Sequence, residues 1–156
     1  MKWLQVAAAA LCGFVMLLCQ SCVHQYKCSS AAETFVQRPM KEQLSDFGAH
    51  SLDEQYDIYL CGTQAVHPPL IHLAEQFARD GKAAVGFLQA KLASAQDDAT
   101  IQDIIMVYAA MSRQGSYDVA ADRDVMQTIN AGVARIKDDG WRRFSAQKVE
   151  EISQSH

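Results

Sequence analysis

The chain has 156 residues, 49% of them hydrophobic, and carries 14 Lys and Arg against 18 Asp and Glu. That length falls within the range of a single domain. The basic residues form no cluster longer than the pair Arg142-Arg143, whereas a protein that follows nucleic-acid phosphates needs a positively charged stripe. The acidic balance and the missing stripe argue against a nucleic-acid partner.

The first eighteen residues form an apolar segment behind a short positive start. Lys2 is followed by a run from Trp3 to Leu18 in which Gln5 is the one strongly polar residue. Sixteen residues span roughly 24 Å as a helix, which is less than the ~30 Å hydrocarbon core of a bilayer. Length and flanks therefore predict a cleaved signal peptide over residues 1–21, with a retained membrane anchor as the alternative.

The end of this segment resembles the lipobox of bacterial lipoproteins. Residues 17–22 read Leu-Leu-Cys-Gln-Ser-Cys, in which Ser21 is the small residue before the lipobox cysteine and Cys19 stands where leucine is usual. The resemblance implies cleavage before Cys22, diacylglycerol on its sulfur and often a fatty acid such as palmitate on its amino group. Each buried CH₂ contributes about 0.8 kcal/mol, so two or three chains would hold the protein on a membrane. We expect the cell membrane or outer membrane, with the protein facing the periplasm.

Cleavage before Cys22 changes the cysteine count of the mature chain. Cys12 and Cys19 leave with the signal peptide and Cys22 carries lipid, so Cys28 and Cys61 remain. Two thiols exported to an oxidising compartment are a plausible disulfide pair, and the alternative is a buried Cys61 beside a free Cys28. The bond would stabilise the fold by roughly 3–4 kcal/mol through the entropy of the unfolded chain.

The mature chain divides into a short tether and one helical domain. Residues 22–33 have neither helical nor strand periodicity and are predicted to be a lipid-anchored tether, followed by a single domain over residues 34–156. Pro39 can open a short helix. From residue 51 the signals become regular, because Ser51 and Glu54 have the spacing of a capping box.

Apolar residues at helical spacing continue to the C-terminus and predict about five to seven helices in all. Gly62 is expected to end or kink the helix that begins at Ser51, and the turn His67-Pro68-Pro69 precedes the next one. The following helices are predicted over residues 68–80, 82–93, 100–113 and 122–138, with Asp97-Asp98 and Asp122 as the caps of the last two. Trp141 and Phe144 are expected to pack back on the core, after a helix end at Asp138-Asp139-Gly140 and before a short helix from Ser145.

The stretch from Phe87 to Ile105 resembles the junction of two HEAT-type helical repeats. A helix ends in Leu88-x-x-x-Leu92, an acidic turn follows at Asp97-Asp98, and a second apolar helix begins. The resemblance extends over about 70 residues. Together with the absence of hairpin or period-two signals, it implies an all-α fold. The fold is either a compact antiparallel helical bundle or a short HEAT-like array, in which 68–80 pairs with 82–93 and 100–113 with 122–138.

Two histidines beside the Pro-Pro turn are the candidate ligands for a metal or small molecule. His72 and Glu75 are three residues apart on a predicted helix, a spacing that places two ligands on one face, whereas His67 lies five residues before His72. The alternative is that they form an ordinary polar surface, with Glu75 paired to Arg79 four residues on. The loop from Gly62 to Pro69 is the candidate partner surface, because the prolines hold it rigid.

The sequence contains none of the common phosphate-cradle, dinucleotide, nucleophile-elbow or zinc-protease motifs. As a whole it resembles the small uncharacterised lipoproteins of Gram-negative bacteria. We therefore expect a non-enzymatic protein-interaction module of the envelope, without a cofactor, whose partners are the membrane and an envelope protein. The alternatives are an immunity or inhibitor protein against an envelope-acting toxin or hydrolase, and a metal- or small-ligand-binding protein that uses His67, His72 and Glu75.

Overall fold

The computed structural model describes residues 26–155, and the whole of that range is built from helices, turns and loops. The all-α class is confirmed over this range, which contains eight helices rather than the five to seven expected. They are α1 (Ser30–Val36), α2 (Met40–Asp46), α3 (Leu52–Gln64), α4 (His72–Phe77), α5 (Lys82–Ser94), α6 (Asp98–Gln114), α7 (Arg123–Arg135) and α8 (Asp139–Ser153). Short 3-10 turns at Phe47–Ala49 and Ala78–Asp80 extend α2 and α4. The predicted signal peptide and the lipid site at Cys22 lie outside the described residues.

The ordered fold begins earlier than the predicted boundary at residue 34. Helix α1 starts at Ser30, and the Ser29 hydroxyl caps it by accepting the Ala32 backbone N–H at 3.2 Å. Ala32, Phe35 and Val36 are buried, and their i, i+3, i+4 spacing puts them on one face of the helix. The predicted tether over 22–33 is therefore wrong at its C-terminal end, because a seven-residue helix is too short to give a periodic signal.

Three helices, α3, α6 and α7, start at the predicted capping residues. Ser51 and Glu54 form the reciprocal capping box at the start of α3. The Asp97 carboxylate accepts the Thr100 N–H at 2.8 Å at the start of α6, and Asp122 caps α7 in the same way. Each cap satisfies backbone donors that have no partner within the first turn.

The last helix begins where the sequence predicted a helix end. Asp138 is the N-cap of α8 and accepts the Trp141 backbone N–H at 2.9 Å. Acidic residues here lie at the positive end of the helix dipole, where they are favourable. Ser145, the predicted start, lies in mid-helix and is buried. Both predictions were wrong for one reason: Gly140 was taken as a terminator, although it is the second residue of α8.

The most extensive packing joins alternate helices rather than neighbours in sequence. Helix α6 packs chiefly on α8 and α4, α5 packs on α7, and α1 packs on α3. Of the predicted neighbour pairs, α6 with α7 also make contact, and the α4 region touches α5 through the 3-10 turn. Helix α6 is buried nearly all round, as predicted from its apolar run. Within residues 26–155, no helix has the length and apolar character needed to cross a bilayer.

Gly62 lets α3 and the residues before α4 approach closely. Helix α3 continues past it to Gln64, so the expected helix end at Gly62 is wrong. A Cβ at this position would lie 2.7 Å from Leu73 Cδ1 and 3.3 Å from Leu70 Cβ. Both distances are shorter than an ordinary carbon–carbon contact, and the missing side chain is what allows the last turn of α3 to lie against Leu70 and Leu73.

Candidate binding groove

The predicted disulfide between Cys28 and Cys61 is present and fixes the N-terminal segment to α3. The Cα atoms of the two residues are 5.3 Å apart. Two hydrogen bonds reinforce the crosslink: the Tyr26 hydroxyl donates to Asp57 Oδ1 at 2.8 Å, and the Ser29 hydroxyl donates to Asp57 Oδ2. Burial and the bond to Asp57 raise the pKa of the Tyr26 hydroxyl, which therefore remains a donor at neutral pH. The chain is thus attached to the domain from residue 26 onward.

The histidines and Glu75 do not form the predicted ligand cluster. His72 Nε2 lies 2.8 Å from the Gln43 side-chain oxygen, and burial lowers the pKa of His72, so the neutral ring donates to Gln43. Glu75 pairs with Arg113 of α6 rather than with Arg79. His67 is exposed in the turn before α4. Within residues 26–155, no group of three or more His, Cys, Asp or Glu side chains is arranged to hold a metal ion.

Glu75 instead joins α4 to α6. Gln114 donates hydrogen bonds to its carboxylate and, at 3.0 Å, to its backbone carbonyl. Burial alone would raise the pKa of the Glu75 carboxyl, but the hydrogen bonds from Gln114 and Arg113 bring it below its ordinary value. The side chain is therefore a structural acid that stays ionised, and its donors leave it little capacity for a ligand.

An apolar groove of about 330 Å³ lies where α3, the segment before α4, α6 and α8 meet. We call it the Asp103 groove. Its walls are formed by Tyr59, Thr63, Pro69, Ile71, Ala74, Gln102, Asp103, Met106, Trp141 and Phe144. Three of these are large apolar side chains with unusual exposure: Ile71 is 72% exposed, Trp141 41% and Phe144 40%. The expectation that Trp141 and Phe144 pack back on the core is therefore only partly met.

Asp103 is the one acidic side chain in the wall of this groove. It lies on α6 and is 8% exposed. Thr63 Oγ1 and Gln64 Nε2 donate to its Oδ2 at 2.8 and 2.9 Å, and the Tyr59 hydroxyl donates to its backbone carbonyl at 2.8 Å. Burial raises the pKa of the Asp103 carboxyl to about 6, although these side-chain hydrogen bonds partly oppose the rise. The groove thus presents a carboxyl that can lose or gain a proton just below neutral pH.

Sequence reasoning missed this groove, although one signal for it is present. Asp103 interrupts the apolar pattern of α6 two residues after the buried Ile101 and directly before the buried Ile104. A carboxylate at a core position is costly unless it is paired, and such perturbed acids concentrate at functional sites. The aromatic half of the groove had no such signal, because the start of α8 was misplaced.

The comparisons with known proteins identify no family for this chain. No protein-family model matches the chain, no curated protein is significantly similar to it, and no solved structure matches it significantly. Functional interpretation therefore depends on the groove and on the chemistry of its walls.

Proposed function

We propose that this chain is a lipid-anchored envelope protein that acts as a non-enzymatic protein-interaction module, with the Asp103 groove as its docking surface. The observation that carries the proposal is the exposure of Ile71, Trp141 and Phe144 around one groove. Clustered apolar side chains at a soluble surface mark interaction sites. Aromatic residues are also enriched at the centres of protein interfaces, where they contribute most of the binding energy.

The packing order supports a short HEAT-like array over a simple bundle. In stacked helix-pair repeats each helix packs on its equivalent in the next repeat, two positions along the chain. The pairs α4–α6, α6–α8 and α5–α7 follow that order. An array of this kind exposes a surface between successive helices for a partner, and the Asp103 groove lies between such helices.

The proposed anchor would keep this surface close to the membrane. From Cys22 to the first described residue, Tyr26, the chain has four residue steps, or at most about 14 Å. The disulfide then connects to Cys61, and Thr63 in the groove wall lies only two residues further along α3. Residues two apart on a helix point to nearly opposite sides of the same turn. A partner bound in the groove would therefore lie within about two helix diameters of the lipid attachment.

Intact-mass spectrometry of the membrane-extracted protein tests the anchor. We expect a chain that begins at Cys22 and carries two or three acyl chains. A mass that includes residues before Cys22, or that lacks acyl chains, would contradict the lipoprotein part of the proposal and leave the groove untouched.

A photo-crosslinking amino acid at position 71 tests the docking surface in intact cells of the native host. Ile71 is the most exposed large apolar residue of the groove, so we expect one discrete protein adduct. The matched control is position 90, an exposed residue of α5 outside the groove. The adduct should be absent from position 90 and should be lost from position 71 when Trp141→Ala is added. Equal adducts from both positions would contradict a specific groove.

A further inference from the structure

The Asp103 carboxylate can accept more hydrogen bonds than the fold supplies. Both side-chain hydrogen bonds to its carboxylate, from Thr63 and Gln64, end on Oδ2. No residue within 26–155 donates a hydrogen bond to Oδ1, although the side chain lines the groove. An ionised carboxylate held in an apolar wall attracts a cation strongly, because little water is present to screen the interaction.

We propose that the groove binds a protein segment in which a Lys or Arg side chain is flanked by aliphatic or aromatic ones, and that the basic head group pairs with Asp103. This inference rests on the proposed docking function and specifies the chemistry of the partner. The aliphatic stem of Lys or Arg packs on apolar walls while its head reaches a polar group. The groove offers both, since Ile71 and Met106 line it together with Asp103.

The aromatic side of the groove favours the same partner. Cations are attracted to the faces of aromatic rings, and to tryptophan most strongly. Trp141 and Phe144 line the groove together with Asp103. Phe144 already has Lys148 at 5.3 Å from its ring centre, but Glu151 pairs with that lysine at 2.8 Å and balances its charge. The Trp141 ring has no such cation among the described residues.

The charge of the surroundings agrees with a basic partner. A neighbouring hollow shares Gln102, Trp141 and Phe144 with the groove and adds Asp138 to the wall. Because Lys2 is the only charged residue before residue 26, the described domain carries 13 basic against 18 acidic residues. An acidic surface accelerates the approach of a basic segment and disfavours acidic competitors.

A purely structural role for Asp103 is the competing explanation. Its contacts to Thr63 and Gln64 tie α6 to the end of α3, and buried polar groups can fix how two helices register. Asp103→Asn separates the two roles, since the amide oxygen still accepts from Thr63 and Gln64 while the negative charge is lost. A structural carboxylate would leave partner affinity unchanged in this variant. If the carboxylate recognises a cation, the same variant should bind the partner more weakly.

Selection of a phage-displayed library of random 12-residue peptides on the detergent-solubilised, full mature protein tests the inference. We expect the selected peptides to share a Lys or Arg at a fixed spacing from bulky apolar residues. The dissociation constant of the dominant peptide should rise at least tenfold in Asp103→Asn, and equally when its basic residue is replaced by Met. Combining the two changes should add little further loss, because both remove the same contact.

The control for overall charge is Asp53→Asn on α3, whose carboxylate is exposed and pairs with Lys91 outside the groove. It should change the dissociation constant by less than twofold. Peptides without a basic residue, or an unchanged affinity in Asp103→Asn, would overturn the inference. The docking function would stand in that case if Ile71→Ala still weakened binding. Peptides indifferent to Ile71→Ala and Trp141→Ala would contradict the groove itself.

Discussion

The two ends of the described chain differ in how far their aromatic side chains are exposed to solvent. At the N-terminal end Phe35 and Phe47 are 1% and 0% exposed, with ring centres 6.1 Å apart, next to the Cys28–Cys61 crosslink. At the C-terminal end Trp141 and Phe144 remain about 40% exposed. The first region is crosslinked and buries its aromatic rings, whereas the second leaves its aromatic rings exposed.

The buried face of α8 explains why this exposure is informative. Ser145 in the middle of the helix and Ile152 near its end are buried, and the Ser145 hydroxyl has no hydrogen-bond partner within residues 26–155. Trp141 and Phe144 lie along one flank of that face. Polar side chains are ordinarily exposed and aromatic ones buried, and here the arrangement is reversed. Such local exceptions concentrate at functional sites. The open end is therefore where we propose that a partner docks.

A matched pair of truncations measures the contrast directly. Phe47→Ala removes a fully buried ring that also contacts Phe77, with ring centres 5.9 Å apart, and should lower the free energy of unfolding by about 3–5 kcal/mol. Phe144→Ala removes a half-exposed ring and should lower it by about 1 kcal/mol or less. Urea denaturation followed by circular dichroism checks both values. Equal losses would mean that the groove rings belong to the core.

Removing the crosslink is expected to have the next largest effect. Cys28→Ala opens a loop with a sequence separation of 33 residues, and the gain in chain entropy of the unfolded state should lower stability by about 3–4 kcal/mol. Reductant should lower the stability of the unaltered protein to the same level in urea denaturation and leave Cys28→Ala unchanged. Insensitivity of the unaltered protein to reductant would contradict a stabilising bond.

Asp103→Asn should change how stability depends on pH. The pKa of the carboxyl is raised from 3.8 to about 6 in the folded state, so folding favours its protonated form. The contribution of Asp103 to stability is therefore highest below pH 4 and falls as pH rises through 6, by an amount on the order of 1–3 kcal/mol. The asparagine variant lacks that fall and should be more stable than the unaltered protein at pH 7.5, by urea denaturation at both pH values.

The control for this pH series is Asp53→Asn on α3, which removes one exposed carboxylate outside the groove and leaves Asp103 in place. An identical slope in Asp103→Asn and in the unaltered protein would mean that burial does not perturb this carboxyl. That result would also remove one support for a cation-binding groove.

Helix starts were predictable from the sequence wherever a capping residue preceded a long periodic segment. Ser51, Asp97 and Asp122 each form the expected cap, because capping depends on residues within one turn of the helix start. The Cys28–Cys61 bond was predictable by elimination once Cys22 was assigned to lipid. In contrast, α1 has only seven residues, and the acidic pair before Gly140 was assigned to a helix end instead of a beginning.

The groove was not predictable, because it is made by elements distant in sequence. Thr63, Asp103 and Trp141 come from three helices, and alternate-helix packing brings them together where pairing of neighbours had been expected. Periodicity assigns a residue to an inward or outward face but does not give the helix that it meets. The histidine site was predicted wrongly for the converse reason. The spacing of His72 and Glu75 is typical of metal ligands, but in the fold these side chains bind Gln43 and Arg113 instead.

Trp141→Ala should have the smallest effect on stability and one of the largest on binding. The ring is 41% exposed, so its loss should lower the free energy of unfolding by about 1 kcal/mol or less. The adduct formed from a photo-crosslinker at position 71 should nevertheless disappear, since an aromatic anchor at an interface is worth about 2 kcal/mol or more. Trp141→Phe is the matched control and should retain most of the adduct. If Trp141→Ala destabilised the fold as strongly as Phe47→Ala, the open end would be core after all, and the contrast between the two ends would fail.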